Sequence, residues 1–129
     1  MSRIKPSRFE ILLNYKLWLS SVTGEGVIEE SNFRLLKGIN DKGSLRASSK
    51  DLGISYRKAW GDLRKAESLL GYKLTIRQRG GKTGGTSELT EKAKKLLEAY
   101  DALHIKLDDA VEKAYEEFQK KIMKLKKSK

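Results

Sequence analysis

Tyr56, Arg57 and Lys58 stand in a row, with Gly61, Arg64 and Lys65 following within a further turn or two. Arginine and lysine donate well to the O6 and N7 acceptors of guanine. Tyr56, Arg57 and Lys58 are therefore candidates for contacts to base edges in duplex DNA, and Gly61 would let a helix approach the duplex closely. Ser44, Arg46, Ser55, Arg64 and Lys65 are candidates for phosphate contacts, which fix the register of a protein on DNA without reading its sequence.

These residues need elements that present them. In "GSLRASSKDLGISYRKAWGDLRKAESLLG", residues 43–71, Ser44 is expected to cap a helix from Leu45 to about Leu52 that turns Leu45, Ala47 or Ser48, Ser49 and Leu52 inward. Gly53 supplies the left-handed residue at its end, Ile54 fills the space beneath the turn, and Ser55 caps the next helix. Ala59, Trp60, Leu63, Ala66 and Leu70 then recur at helical spacing as one buried stripe, which leaves the basic residues largely off it. Two helices so joined match a helix-turn-helix, whose second helix enters the major groove with its first residues at the base edges. An ordinary helical hairpin with a solvated basic face is the plainer alternative.

Charge agrees with a polyanionic partner. The chain of 129 residues carries a formal net charge of +11 with a pI near 9.8, which favours nucleic acid over a membrane surface. Between Glu98 and Glu117 seven acids face only Lys106 and Lys113, so that segment should point away from phosphates. There is no cysteine, and His104 is the only histidine; disulfides, thiolate metal sites and cysteine catalysis are excluded, and a histidine metal site or triad is improbable. No nucleophile–base pair can be assembled, so neither an enzyme nor a bound cofactor is expected. No run reaches the length of a membrane span, and no signal peptide opens the chain, which makes a cytoplasmic location the default.

In chain order, residues 1–28 are expected to form a β-strand or hairpin, 29–90 the helix-turn-helix domain, and 91–129 a long helix with a basic tail. Phe9, Ile11, Leu13, Tyr15, Leu17 and Leu19 alternate with mostly polar residues, which predicts a strand bent or folded near Gly24-Glu25-Gly26. It must pack on the helices or pair with another chain, and pairing between subunits is slightly preferred. A helix from near Ser31 carries Phe33, Leu35, Leu36 and Ile39 inward and ends at the turn formers 40–43. After Gly71, Leu74 and Ile76 alternate with Thr75, Arg77 and Arg79, which suggests a strand with a basic outer face; Thr86 to Leu89 would return. The tip between them, Gly80, Gly81, Lys82, Thr83, Gly84 and Gly85, ends like a phosphate-binding P-loop, but the glycine that motif needs five residues before Gly81 is Ile76. A wing that touches the sugar-phosphate backbone through Arg77, Arg79 and Lys82 explains the tip better. Three helices and such a hairpin make a winged helix-turn-helix, mainly α with a small β component. Thr90 then caps the long helix, whose Leu96, Tyr100, Leu103, Leu107, Ala110, Ala114 and Phe118 form a coiled-coil-like seam. Dimerisation along it is preferred to the alternative that the helix folds back over its own domain.

The stretch 43–71 followed by "GGKTGGTSELT" resembles the N-terminal DNA-binding domain of the ModE family of molybdate-responsive regulators, within the LysR-type winged helix-turn-helix group. "GISYRKAW", the double-glycine wing, the "LT" opening the last helix and "LLEAY" within it carry the likeness, which covers roughly Ser31 to Tyr100 and more loosely the strand from Phe9. In those families the helix after the wing mediates dimerisation. They usually show alanines at the positions of Ser48 and Ser49 and a glycine at that of Ala93. With nothing after Lys129, the oxyanion-binding domain is expected to be absent, so the resemblance implies DNA binding without molybdate sensing. The expectation is therefore a homodimeric, double-stranded-DNA-binding transcription regulator on a palindromic site, with any sensor supplied by a separate partner protein. An architectural DNA-coating protein, and a protein-interaction module using the long helix, are the alternatives.

Overall fold

The structure is a computed structural model that describes residues 2–3, 11–24, 27–78 and 86–127, with the backbone alone for residues 2, 3, 27, 77, 78, 86 and 127. Two compact units are present: residues 18–99 form one, and the described residues up to 17 with those from 100 onward form the other.

In the first unit, β3 (Leu19–Ser20) pairs antiparallel with β4 (Val27–Ile28). The helices α1 (Glu30–Lys42), α2 (Leu45–Asp51) and α3 (Tyr56–Leu70) follow. Each start has a chemical cause. Asn32 Oδ1 accepts from the Glu29 N–H at 2.7 Å, Ser44 Oγ from the Ala47 N–H at 3.0 Å, and Ser55 Oγ from the Lys58 N–H at 3.0 Å. α1 stops where Gly43 takes φ +77°, and the α2–α3 turn runs through Gly53 at φ +71°, backbone that a side chain would strain. Ile28, Phe33, Leu35, Leu36, Ile39, Leu45, Ala59, Leu63 and Ala66 form the core. Within it, Ser48 Oγ donates to the Leu35 carbonyl at 2.8 Å, so a buried hydroxyl is satisfied and two helices are joined. Gly38 makes that approach possible, because a Cβ there would stand 2.1 Å from Ser48 Oγ.

The hairpin of β5 (Thr75–Gln78) and β6 (Thr86–Leu89) pairs Thr75 with Leu89 and Gln78 with Thr86. Its root is bonded to the helices: the Ser87 N–H donates to the Gly43 carbonyl at 3.1 Å, and the Leu74 N–H to Glu67 Oε2 at 2.7 Å. Thr90 caps α4 (Glu91–Lys127), its Oγ1 accepting from the Ala93 N–H at 3.1 Å while donating to the Lys73 carbonyl at 2.8 Å. Three helices, a hairpin and a long helix in that order are a winged helix-turn-helix.

Two details differ from the sequence pattern. The alternation from Phe9 to Leu19 does not make one strand among the described residues: Asn14–Tyr15 (β2) pairs with Ser2–Arg3 (β1), and Leu19–Ser20 with Val27–Ile28. Alternation reports which way side chains face, whereas a strand also needs a neighbour, and here one segment finds two neighbours for two residues each. Ile76, expected inward with Leu74, is 51% exposed. Leu74 lies before the strand begins, and the register sets Ile76 opposite the exposed Glu88.

In the second unit the chain around β2 lies on α4. Tyr115 is buried and its hydroxyl donates to the Ile11 carbonyl at 2.5 Å. The Tyr15 hydroxyl donates to Asp108 Oδ1, whose other oxygen lies 3.2 Å from His104 Nδ1. His104 is thus half-buried in a polar aromatic cluster with Tyr15 and Tyr100.

Candidate nucleic-acid interface

α3 turns Ala59, Leu63 and Ala66 into the core, so helical geometry turns Arg57, Arg64 and Lys65 outward, and all three are exposed. Gly61 shares that outer face, and a Cβ there would meet nothing within 4 Å. Arg57, Arg64 and Lys65 around it are basic and exposed.

The other sequence-derived candidates are distributed around this face. Lys58 Nζ lies 3.2 Å from Asp62 Oδ2 one turn on, a solvated pair that holds the side chain only weakly. Lys58 and Lys65 also line a polar cleft of about 710 Å³ with Ser21, Thr23, Ser31 and Ser68, where Glu29 and Asp62 supply the opposite charge. On the other flank, Tyr56 does not project freely. The Arg46 guanidinium lies over its ring at 4.3 Å from the centre, and the ring makes a T-shaped contact with Trp60, centroids 6.2 Å apart at an interplanar angle of 89°. Arg64 lies 5.9 Å from the Trp60 ring centre. Ser44 and Ser55 hold their hydroxyls against helix N-termini, each keeping its own O–H to donate.

Of the wing candidates, Arg79, Gly80, Gly81, Lys82, Thr83, Gly84 and Gly85 lie outside the described residues, and Arg77 is described by its backbone alone. Along α4, Tyr100 is buried and Leu96 and Leu107 are half-buried, while Leu103, Ala110, Ala114 and Phe118 are exposed. The face covered by the N-terminal segment carries His104, Asp108 and Tyr115 instead, a neighbouring stripe of the same helix.

Sequence reasoning missed two things. Glu67 reads as a surface acid, yet its carboxylate accepts the Leu74 N–H at the hairpin root. Trp60, expected in the core, is only half-buried. The i, i+4, i+8 spacing of Tyr56, Trp60 and Arg64 was the available signal for the second. Among the described residues, no group of histidines and acids could hold a metal ion, and no helix is long and apolar enough to cross a membrane.

The chain is 36% identical over 110 residues to the transcriptional regulator ModE of Haemophilus influenzae, which covers 79% of this chain and 41% of that protein. It is 36% identical over 94 residues to the DNA-binding transcriptional dual regulator ModE of Escherichia coli K12, covering 73% and 34% of the two chains. To the molybdenum transport protein ModE of Azotobacter vinelandii it is 29% identical over 89 residues, covering 69% and 33%. The chain thus spans less than half the length of these relatives. The crystal structure of ArgP from Mycobacterium tuberculosis superposes with a TM-score of 0.49 at 14% identity, covering 67% of this chain and 31% of that one. No protein-family profile matches the chain. Similar in sequence to these ModE proteins over most of its own length, and folded as a winged helix-turn-helix, the chain is a ModE-like helix-turn-helix protein.

Proposed function

We propose that this chain binds double-stranded DNA as a transcription regulator, with the start of α3 in the major groove. The observation that carries this reading is the outer face of α3, where Arg57, Arg64 and Lys65 surround the open surface at Gly61. The similarity to proteins named as DNA-binding regulators supports it, as does the net charge of +11. Arg57 and Lys58 read base edges, and Ser44, Ser55 and Lys65 meet phosphates. The loop between β5 and β6 reaches the backbone or the minor groove, an assignment supported by the regular hairpin that carries it.

The chain works as a homodimer in this reading. Residues 29–90 contact DNA, and residues 91–129 pair two copies. The exposure of Leu103, Ala110, Ala114 and Phe118 on α4 supports the pairing, because an apolar stripe of that length gains from a partner. Two copies related by a two-fold axis call for a palindromic site with half-sites about one helical turn, or a multiple, apart.

The test is selection of bound fragments from a random DNA pool at low and near-physiological salt. Charge alone fades steeply with salt, while base readout leaves a preferred sequence behind. A recovered palindrome is the expected result. Binding without enrichment would replace the regulator with an architectural DNA-coating protein, and no binding at either salt would overturn the proposal. On the recovered site, Arg57→Ala is expected to cost about 1–3 kcal/mol and to relax specificity at one position. An equal loss on random DNA would make Arg57 a phosphate contact only.

A further inference from the structure

Arg46, Tyr56, Trp60 and Arg64 form one continuous array across the start of α2 and the outer flank of α3. The guanidinium of Arg46 lies 4.3 Å from the Tyr56 ring centre, Tyr56 meets Trp60 edge to face at 6.2 Å, and Arg64 lies 5.9 Å from the Trp60 ring centre. Both rings are half-buried, and each has an arginine guanidinium over it. A ring positioned this way attracts a cation through its quadrupole, more strongly as the site loses water.

Several other exposed cations of this unit are paired with carboxylates, while Lys92 lies 5.5 Å from the Tyr72 ring centre. Arg34 pairs with Glu30, Lys42 with Asp51 and Lys58 with Asp62. Among the described residues, neither Arg46 nor Arg64 has a carboxylate in ion-pair reach. Aromatic stacking orders a guanidinium without neutralising it, and leaves the planar N–H edge free for a bidentate contact to phosphate oxygens. A carboxylate partner would order the group but cancel the charge that phosphate needs.

We infer that Trp60 and Tyr56 are positioning residues that pre-order Arg46 and Arg64 for a paired grip on the DNA phosphate backbone beside the major groove. This inference rests on the DNA-binding reading above and changes the part played by two residues in it. Tyr56 acts through Arg46 rather than on a base, and Trp60 acts through Arg64 rather than as core filler. Both arginines set affinity for any sequence, which leaves specificity to Arg57 and Lys58. A side chain already ordered loses less freedom on binding, so the rings contribute affinity without touching DNA.

Two measurements on the full chain test this. In the free protein, backbone-independent relaxation of the arginine Nε–Hε groups should show Arg46 and Arg64 ordered and Arg57 mobile. Trp60→Leu should release Arg64 and leave Arg34 unchanged. Arg64 mobile in the parent protein, or equally ordered in the variant, would overturn the inference. The second measurement titrates a random-sequence duplex into the parent, Trp60→Leu, Arg64→Ala and the double variant. Trp60→Leu should weaken binding roughly 3- to 30-fold alone and add nothing in the Arg64→Ala background. Trp60→Phe, which keeps a ring, should retain most of the affinity and serves as the readout if the leucine variant fails to fold. The same loss from Trp60→Leu in both backgrounds would make Trp60 a purely structural residue and overturn the proposal. Failure of the parent to bind any duplex would defeat the DNA reading itself and the phosphate grip with it. The relaxation arm would still decide whether the rings hold the arginines.

Discussion

Residues 18–99 and the long-helix unit solve the same problem with different materials. The first buries Ile28, Phe33, Leu35, Leu36, Ile39, Leu45, Leu63 and Leu74 from several elements, and even its buried Ser48 is bonded across helices. The second buries only Tyr100 and Tyr115 among its described residues, and holds its N-terminal segment on α4 through the hydroxyls of Tyr15 and Tyr115. Hydrophobic burial grows with the number of elements that converge, while a tyrosine bond to a carbonyl or carboxylate joins just two. The contrast separates a part with a core of converging elements from one that buries little and leaves Leu103, Phe118 and Leu125 at 40%, 54% and 72% exposure.

The largest expected effect lies in the converging core. Leu36→Ala should destabilise the protein by about 2–5 kcal/mol in urea unfolding, because a fully buried side chain leaves a cavity that the helices cannot close. A small loss there would erase the contrast between the two units. Next comes Phe118→Ser, with Leu103→Ser as its companion. If the uncovered stripe joins two copies, each should weaken self-association by about 1.5–3 kcal/mol, read by sedimentation across a concentration series. Unchanged association would mean that the stripe is not the interface.

Tyr115→Phe sharpens the comparison at smaller scale. Losing the bond to the Ile11 carbonyl should cost about 1 kcal/mol. The loss should show as faster amide exchange around Asn14 and Tyr15 rather than as a lower global unfolding midpoint. A fall in the midpoint equal to that of a core variant would show the two units to be one cooperative body. The smallest effect has the opposite sign. Gly61→Ala should stabilise the free protein by about 0.5–1 kcal/mol, since the site has room and helices favour alanine. The same variant should bind DNA less tightly if the duplex approaches that surface, and unimpaired binding would move the interface elsewhere.

Which parts of this arrangement were legible in the sequence follows from how local their causes are. Caps and turns are local chemistry, so Ser44, Ser55, Thr90 and Gly53 marked helix ends that the structure shows within a residue or two. Periodicity in α3 likewise placed Ala59, Leu63 and Ala66 inside. Partner choice is not local. Nothing in the alternation at Phe9–Leu19 says that the segment divides between Ser2–Arg3 and Val27–Ile28. The apolar stripe of α4 could be read, but not that the N-terminal segment would choose the adjacent face of Asp108 and Tyr115, because polar hydrogen bonding decides that contact. For the interface, residue types indicated a basic helix, whereas the stacking of Arg46 on Tyr56 depends on the angle at which two helices meet.

The bond from the Ser87 N–H to the Gly43 carbonyl bears on how such a chain can change over generations. Gly43 ends α1 at φ +77°, precedes the residue that caps α2, and serves as the acceptor for β6, all within one peptide unit. Inserting or deleting a residue between Lys42 and Ser44 would move the start of α2 relative to α1 and displace that acceptor as well. Length at this junction is therefore under tighter constraint than side-chain identity. Variation among descendants of this chain should accumulate as substitutions on the helices while the spacing from α1 to α2 stays fixed.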